Sequence, residues 1–169
     1  PAWAAVGTPG NLTTLDCGPS YAVFTAEVGT RYYVMAFDDQ TDGSGTGGSL
    51  KIQFKQAFVP DIELSLNRYG SFDSRTGAAT VSGSITCSAG ADFSIFVDAS
   101  QKVGRGSVTG FGSVDGTCDG TLQHWSIVVE ANSGKFAGGK LETSVFGSAY
   151  GDISANRETT QTVQLRKKK

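Results

Sequence analysis

Thr80-Val81-Ser82-Gly83-Ser84-Ile85-Thr86-Cys87 decides the fold class. Val81, Ile85 and Cys87 fall on one side of an extended chain, and Thr80, Ser82, Ser84 and Thr86 on the other. A strict period of two with β-branched residues marks a half-buried strand with one wet face. The same period runs outward from it. Ile62, Leu64 and Leu66 alternate before it, and Asn67 to Thr76 reads as a polar turn region. After it, Phe93, Ile95, Val97 and Ala99 point inward, as do Trp125, Ile127 and Val129. Ser107–Gly112, Leu141–Phe146 and Thr159–Leu165 complete seven expected strands. Turn signals every 8 to 15 residues fit an antiparallel sandwich, Ig-like or jelly-roll-like.

Residues 1–57 read differently. Tyr21–Thr25 and Arg31–Phe37 are aromatic and β-branched, with a tight turn at Glu27-Val28-Gly29-Thr30. Leu50-Lys51-Ile52-Gln53-Phe54-Lys55 alternates apolar and polar side chains, which predicts another strand. Asp38 to Ser49 is a glycine-rich polar loop. Pro60 cannot donate to a ladder, so a boundary is placed there. The expected organisation is all-β: two small antiparallel β-sandwich units, 1–57 and 62–166, joined by a short linker at 58–61, then a basic tail at 167–169. No segment shows a helical period.

Composition agrees with this fold class and excludes several functions. The 169 residues (17.6 kDa) are 38% hydrophobic and only 18% charged, with 23 glycines, 18 serines and 17 threonines but eight leucines. That balance favours strands and turns over helices. A net charge of -2 supplies no basic field for nucleic acid. No apolar run is long enough to span a bilayer as a helix. His124 is the one histidine, and no zinc spacing, phosphate loop, dinucleotide fingerprint or nucleophile elbow occurs. The chain is therefore read as non-enzymatic. It begins with Pro1, which leaves room for a removed signal or an upstream segment.

The three cysteines are Cys17, Cys87 and Cys118. Cys87 ends a strand on its core side, and Cys118 precedes the strand of Trp125. This suggests an inter-sheet disulfide packed on an indole; two buried free thiols are the alternative. Closing a loop of about 32 residues stabilises by roughly 3–4 kcal/mol in the chain-entropy picture. Such a bond implies an extracellular or cell-surface location. Cys17 is left over, as a free thiol or one paired outside this segment.

Other residues carry side chains suited to binding. Asp38, Asp39 and Asp42 put three carboxylates in one loop, which suits calcium, although a solvated loop is the plainer reading. No other cofactor is expected. His124 alternates with core-facing Trp125 and so faces solvent. Asn11-Leu12-Thr13 is a formal glycosylation acceptor that also reads as a turn. Tyr32, Tyr33, Phe37 and Phe96 are either cross-strand packing residues or a sugar-binding face. Arg166-Lys167-Lys168-Lys169 is a solvated basic run or a contact for an anionic polymer.

Two stretches carry family resemblances. Gly7-Thr8-Pro9-Gly10-Asn11-Leu12 running to Cys17, then Phe24-Thr25-Ala26-Glu27-Val28-Gly29-Thr30-Arg31-Tyr32-Tyr33, resemble the bacterial pre-peptidase C-terminal domain. These are non-catalytic β-sandwiches appended to secreted peptidases and other exported proteins. The likeness covers about residues 1–57 and only the C-terminal half of such a domain. It implies an incomplete first sandwich with open apolar edges. Residues 61–166 resemble an uncharacterised β-sandwich domain of secreted actinobacterial-type proteins. That likeness rests on Phe72-Asp73-Ser74-Arg75-Thr76-Gly77, Cys87, Cys118-Asp119-Gly120, His124-Trp125 and Lys135-Phe136-Ala137-Gly138-Gly139-Lys140, and it carries no activity across. The expected role is a structural subunit of an extracellular assembly, completed by strands from a neighbouring copy or another β-protein. The alternatives are an accessory region of a larger secreted hydrolase, or a carbohydrate-binding or adhesion module.

Overall fold

The computed structural model describes residues 1–37 and 51–168. The described residues are all-β, without a helix. They form two compact units, Pro1–Ala57 and Phe58–Lys169.

In the first unit, β1 (Ala2–Thr8), β2 (Asn11–Gly18) and β3 (Tyr32–Ala36) form a three-stranded antiparallel sheet in the order β2-β1-β3. Gly10, at φ +91°, turns β1 into β2. A register shift between Ala4 and Ala5 bends β1 against β2. The Glu27–Thr30 turn forms, with the Thr30 N–H donating to the Glu27 carbonyl. Its expected first arm, Tyr21–Thr25, is not a strand. Residues 51–55 are not a strand either, and Ile52 and Phe54 are exposed. Alternation alone does not make a strand, because a strand also needs a neighbouring edge to pair with.

The second unit contains β4 (Ile62–Leu66), β5 (Tyr69–Phe72), β6 (Ala79–Cys87), β7 (Asp92–Val103), β8 (Gly106–Thr117), β9 (Gln123–Ala131), β10 (Gly139–Tyr150) and β11 (Ala155–Lys167). The expectation of a sandwich is corrected here. Seven strands run β6-β5-β11-β10-β7-β8-β9, and β9 pairs back onto β6, closing a barrel. β4 and β5 take successive parts of one edge of β6, through Leu66↔Gly83 and Ser71↔Thr80. Among the described residues, only β5 and β11 pair in parallel. Closure is the physical difference from a sandwich, since it removes sheet edges and requires strongly coiled strands.

Inward-facing glycines permit that coiling. A side chain at Gly112 would meet Ile127, and one at Gly116 would lie 2.6 Å from the Phe93 ring. At Gly147 it would press on Leu64 and Ile62. The interior holds Val81, Ile85, Ile95, Val97, Ile127, Val129, Leu141, Val145, Val163 and Leu165, all nearly inaccessible. Residues 58–61, expected as a linker, belong to this unit. The Phe58 N–H donates to the Asp152 carboxylate, the Ile153 N–H donates to the Phe58 carbonyl, and Pro60 is buried.

Cys87 and Cys118 form a disulfide across 31 residues, with Cα atoms 5.6 Å apart. It ties the β6–β7 connection to the β8–β9 connection. The Gly90 N–H donates to the Cys118 carbonyl and the Cys118 N–H to the Ala91 carbonyl, each at 2.8 Å. Trp125 shares this core, but its ring covers Gly83.

Candidate binding surfaces

Strand parity puts one side of each barrel strand in solvent, and register then decides which outward residues meet. Across β11, β10, β7 and β8 one outward row reads Glu158, Phe146, Phe96, Ser113. The next row, continuing to β9, reads Thr160, Ser144, Asp98, Phe111, Glu130. Phe96 and Phe111 stack diagonally with ring centroids 6.1 Å apart. Phe111 and Phe146 are 45% and 40% exposed. Rows of satisfied polar groups bracket this patch. On one side Ser148 Oγ donates to Asn156 Oδ1 and Ser94 Oγ to Asp115. On the other, Thr162 donates to Glu142 and Asn132 to Thr109. Three rings in mid-sheet, beside the carboxylates of Asp98, Glu130 and Glu158, form an apolar surface with a charged rim.

A second feature is an open groove of about 810 Å³ where β4 and β11 begin. Asp61, Glu63, Thr86, Ser88, Asn156 and Arg157 line it. Ser88 is already engaged, its hydroxyl accepting from the Asp61 N–H. In the first unit, Trp3 of β1 lies between Cys17 of β2 and Met35 of β3. The Trp3 indole N–H donates to Thr14 Oγ1 at 3.0 Å. Leu12, Leu15, Met35 and Phe37 are exposed.

The residues singled out by sequence fall as follows. Asp38, Asp39 and Asp42 lie outside the described residues. Among the described residues, no three His, Cys, Asp or Glu side chains converge as a metal site. His124 is exposed and alternates with buried Trp125. Cys17 is exposed and unpaired. Tyr32 packs on Phe24 at 5.0 Å and its hydroxyl accepts from the Glu27 N–H, so it braces the turn. Phe96, in the second unit, neighbours Phe111 and Phe146. Those two partners were missed, although Phe96 and Phe146 both occupy the outward parity of their strands.

Two carboxylates have lowered pKa values. Asp73 accepts backbone N–H bonds from Arg75 and Thr76, which favour its charged form, and Arg75 and Lys168 add to this. Asp119 is lowered chiefly by the Thr121 hydroxyl, then by the Thr121 N–H. Both are turn carboxylates, so their shifts mark loop structure. A carboxylate with a depressed folded pKa contributes stability above its unfolded value and loses it as pH falls through the folded one. Asp73→Ala is therefore expected to lower the urea midpoint slightly near neutrality. The difference from wild type should shrink in acid, as the pH falls through the lowered folded-state pKa of Asp73. Urea melts at both pH values check this.

No family model matches the chain, and no curated protein matches it. No helix among the described residues is long and apolar enough to cross a membrane.

Proposed function

We propose that this chain is a secreted, non-catalytic structural protein, a subunit of an extracellular or cell-surface assembly built by contacts between copies. The observation that carries the reading is the first unit's small sheet. Among the described residues it has only three strands, its outer strands β2 and β3 have no further partner, and Leu12, Leu15, Met35 and Phe37 face solvent. Three strands sit near the lower limit of independent stability, and open edges are templates for another strand. Strand addition from a neighbouring copy supplies the missing ladder through main-chain hydrogen bonds. The Cys87–Cys118 disulfide supports an oxidising location.

Sedimentation velocity over about a hundredfold range of concentration tests the reading, using Cys17→Ser so that disulfide linkage plays no part. The expected result is species heavier than the 17.6 kDa chain, growing with concentration. A single 17.6 kDa species at every concentration overturns it.

A further inference from the structure

We infer that the patch formed by Phe96, Phe111, Phe146, Asp98 and Glu130 receives the basic run around Lys167 and Lys168 of a second copy. This rests on the self-assembly reading and adds to strand addition at the first unit a second contact between copies, naming both of its surfaces.

The chemistry of the patch selects a cation. Aromatic faces attract ammonium and guanidinium groups, and flanking carboxylates add Coulomb attraction and hydrogen-bond acceptors. The two rows contain three carboxylates and no Lys or Arg. Asp98 and Glu130 stand on either side of Phe111 in the register.

Arg166 to Lys169 is the densest run of positive charge in the chain. Arg166 is already spent within its own unit, its guanidinium 4.3 Å from the Tyr69 ring centroid. That contact is the same chemistry on a smaller scale. Lys167 and Lys168 remain exposed, with Lys168 close enough to Asp73 to favour its charged form.

The run cannot reach the patch of its own molecule. β11 is ladder-paired along its length, to β10 from Ala155 to Leu165 and to β5 from Gln164 to Lys167. Glu158, at the patch, and Lys167 lie nine residues apart on that strand, roughly 30 Å at 3.3 Å per residue. The contact therefore joins two copies through two different surfaces. A heterologous contact of this kind does not close by itself and propagates as a filament or ring. It also weakens as salt screens the exposed charges.

Charge swapping in the full chain tests this in the Cys17→Ser background. One variant carries Asp98→Lys and Glu130→Lys; the other carries Lys167→Glu and Lys168→Glu. Thermal melts of each variant confirm folding. Each variant alone is expected to self-associate about tenfold more weakly than the parent, from two ion pairs and a cation–π contact. An equimolar mixture is expected to recover association, because each variant's run then meets an opposite charge on the other's patch. If the parent associates and both variants match it, this contact is wrong while assembly through the first unit stands. If the parent is monomeric throughout, the assembly reading fails and this inference with it. If a monomeric parent binds an Arg-Lys peptide and the Asp98/Glu130 variant does not, the occupant is another basic partner and the second-copy assignment is overturned.

Discussion

Gly83→Ala is expected to destabilise the second unit by about 3 kcal/mol or more and to lower its melting temperature by many degrees. Gly83 faces inward on β6, between Leu66 of β4 and Trp125 of β9. A Cβ there would overlap the Ser65 carbonyl oxygen and stand 2.5 Å from Trp125 Cζ2. Neither neighbour yields easily. Ser65 is held in the β4–β6 ladder, where its hydroxyl also meets Ser84 Oγ at 2.7 Å. Trp125 is 95% buried and packed among core side chains. Overpacking usually costs 1–3 kcal/mol, and a clash with fixed backbone belongs at the upper end. By contrast, Gly90→Ala, at a turn position open to solvent, meets nothing within 4 Å. Only the strain of its φ of +83° remains, of order 1 kcal/mol. Urea melts of the two variants separate packing from backbone strain. Equal losses would mean that Gly83 is present for conformation and not for space.

Removing the disulfide is expected to cost a similar amount, about 3–4 kcal/mol for its loop of roughly 32 residues. The paired variant Cys87→Ala and Cys118→Ala measures it. Both sulfurs are buried at one end of the barrel, so the loss adds a small packing defect to the looser unfolded chain. The backbone bonds between Gly90 and Cys118 and between Cys118 and Ala91 hold the same two connections without the bridge. The variant is therefore expected to fold, with a lower urea midpoint. A midpoint unchanged from wild type would mean that the bridge constrains nothing the fold does not already fix.

These two effects show where sequence reading succeeds and where it stops. The alternation of Thr80–Cys87, Phe93–Ala99 and Leu122–Glu130 is local, and each appears as a strand with the expected face inward. The pairing of Cys87 with Cys118 was legible because Cys87 ends a strand on its core side and Cys118 precedes the strand of Trp125. Tyr69–Phe72 was hidden in a polar stretch. It is a strand because β11, some ninety residues later, offers a parallel edge. Barrel closure was hidden for the same reason, since it depends on the non-local β6–β9 pairing and on where glycines fall in three dimensions. Residues 51–55 show the opposite error, a strand pattern in residues that are not a strand. The aromatic patch was half legible. Phe96 and Phe146 break the polar parity of their own strands, but only the register brings Phe96, Phe111 and Phe146 together.

The central claim is that copies of this chain build an ordered assembly. Electron microscopy of concentrated protein, with intact mass measured on the same non-reduced sample, tests it most directly. The account predicts ordered polymers whose subunit mass is 17.6 kDa. A field of monodisperse particles of one chain each, unchanged on concentration, would contradict it.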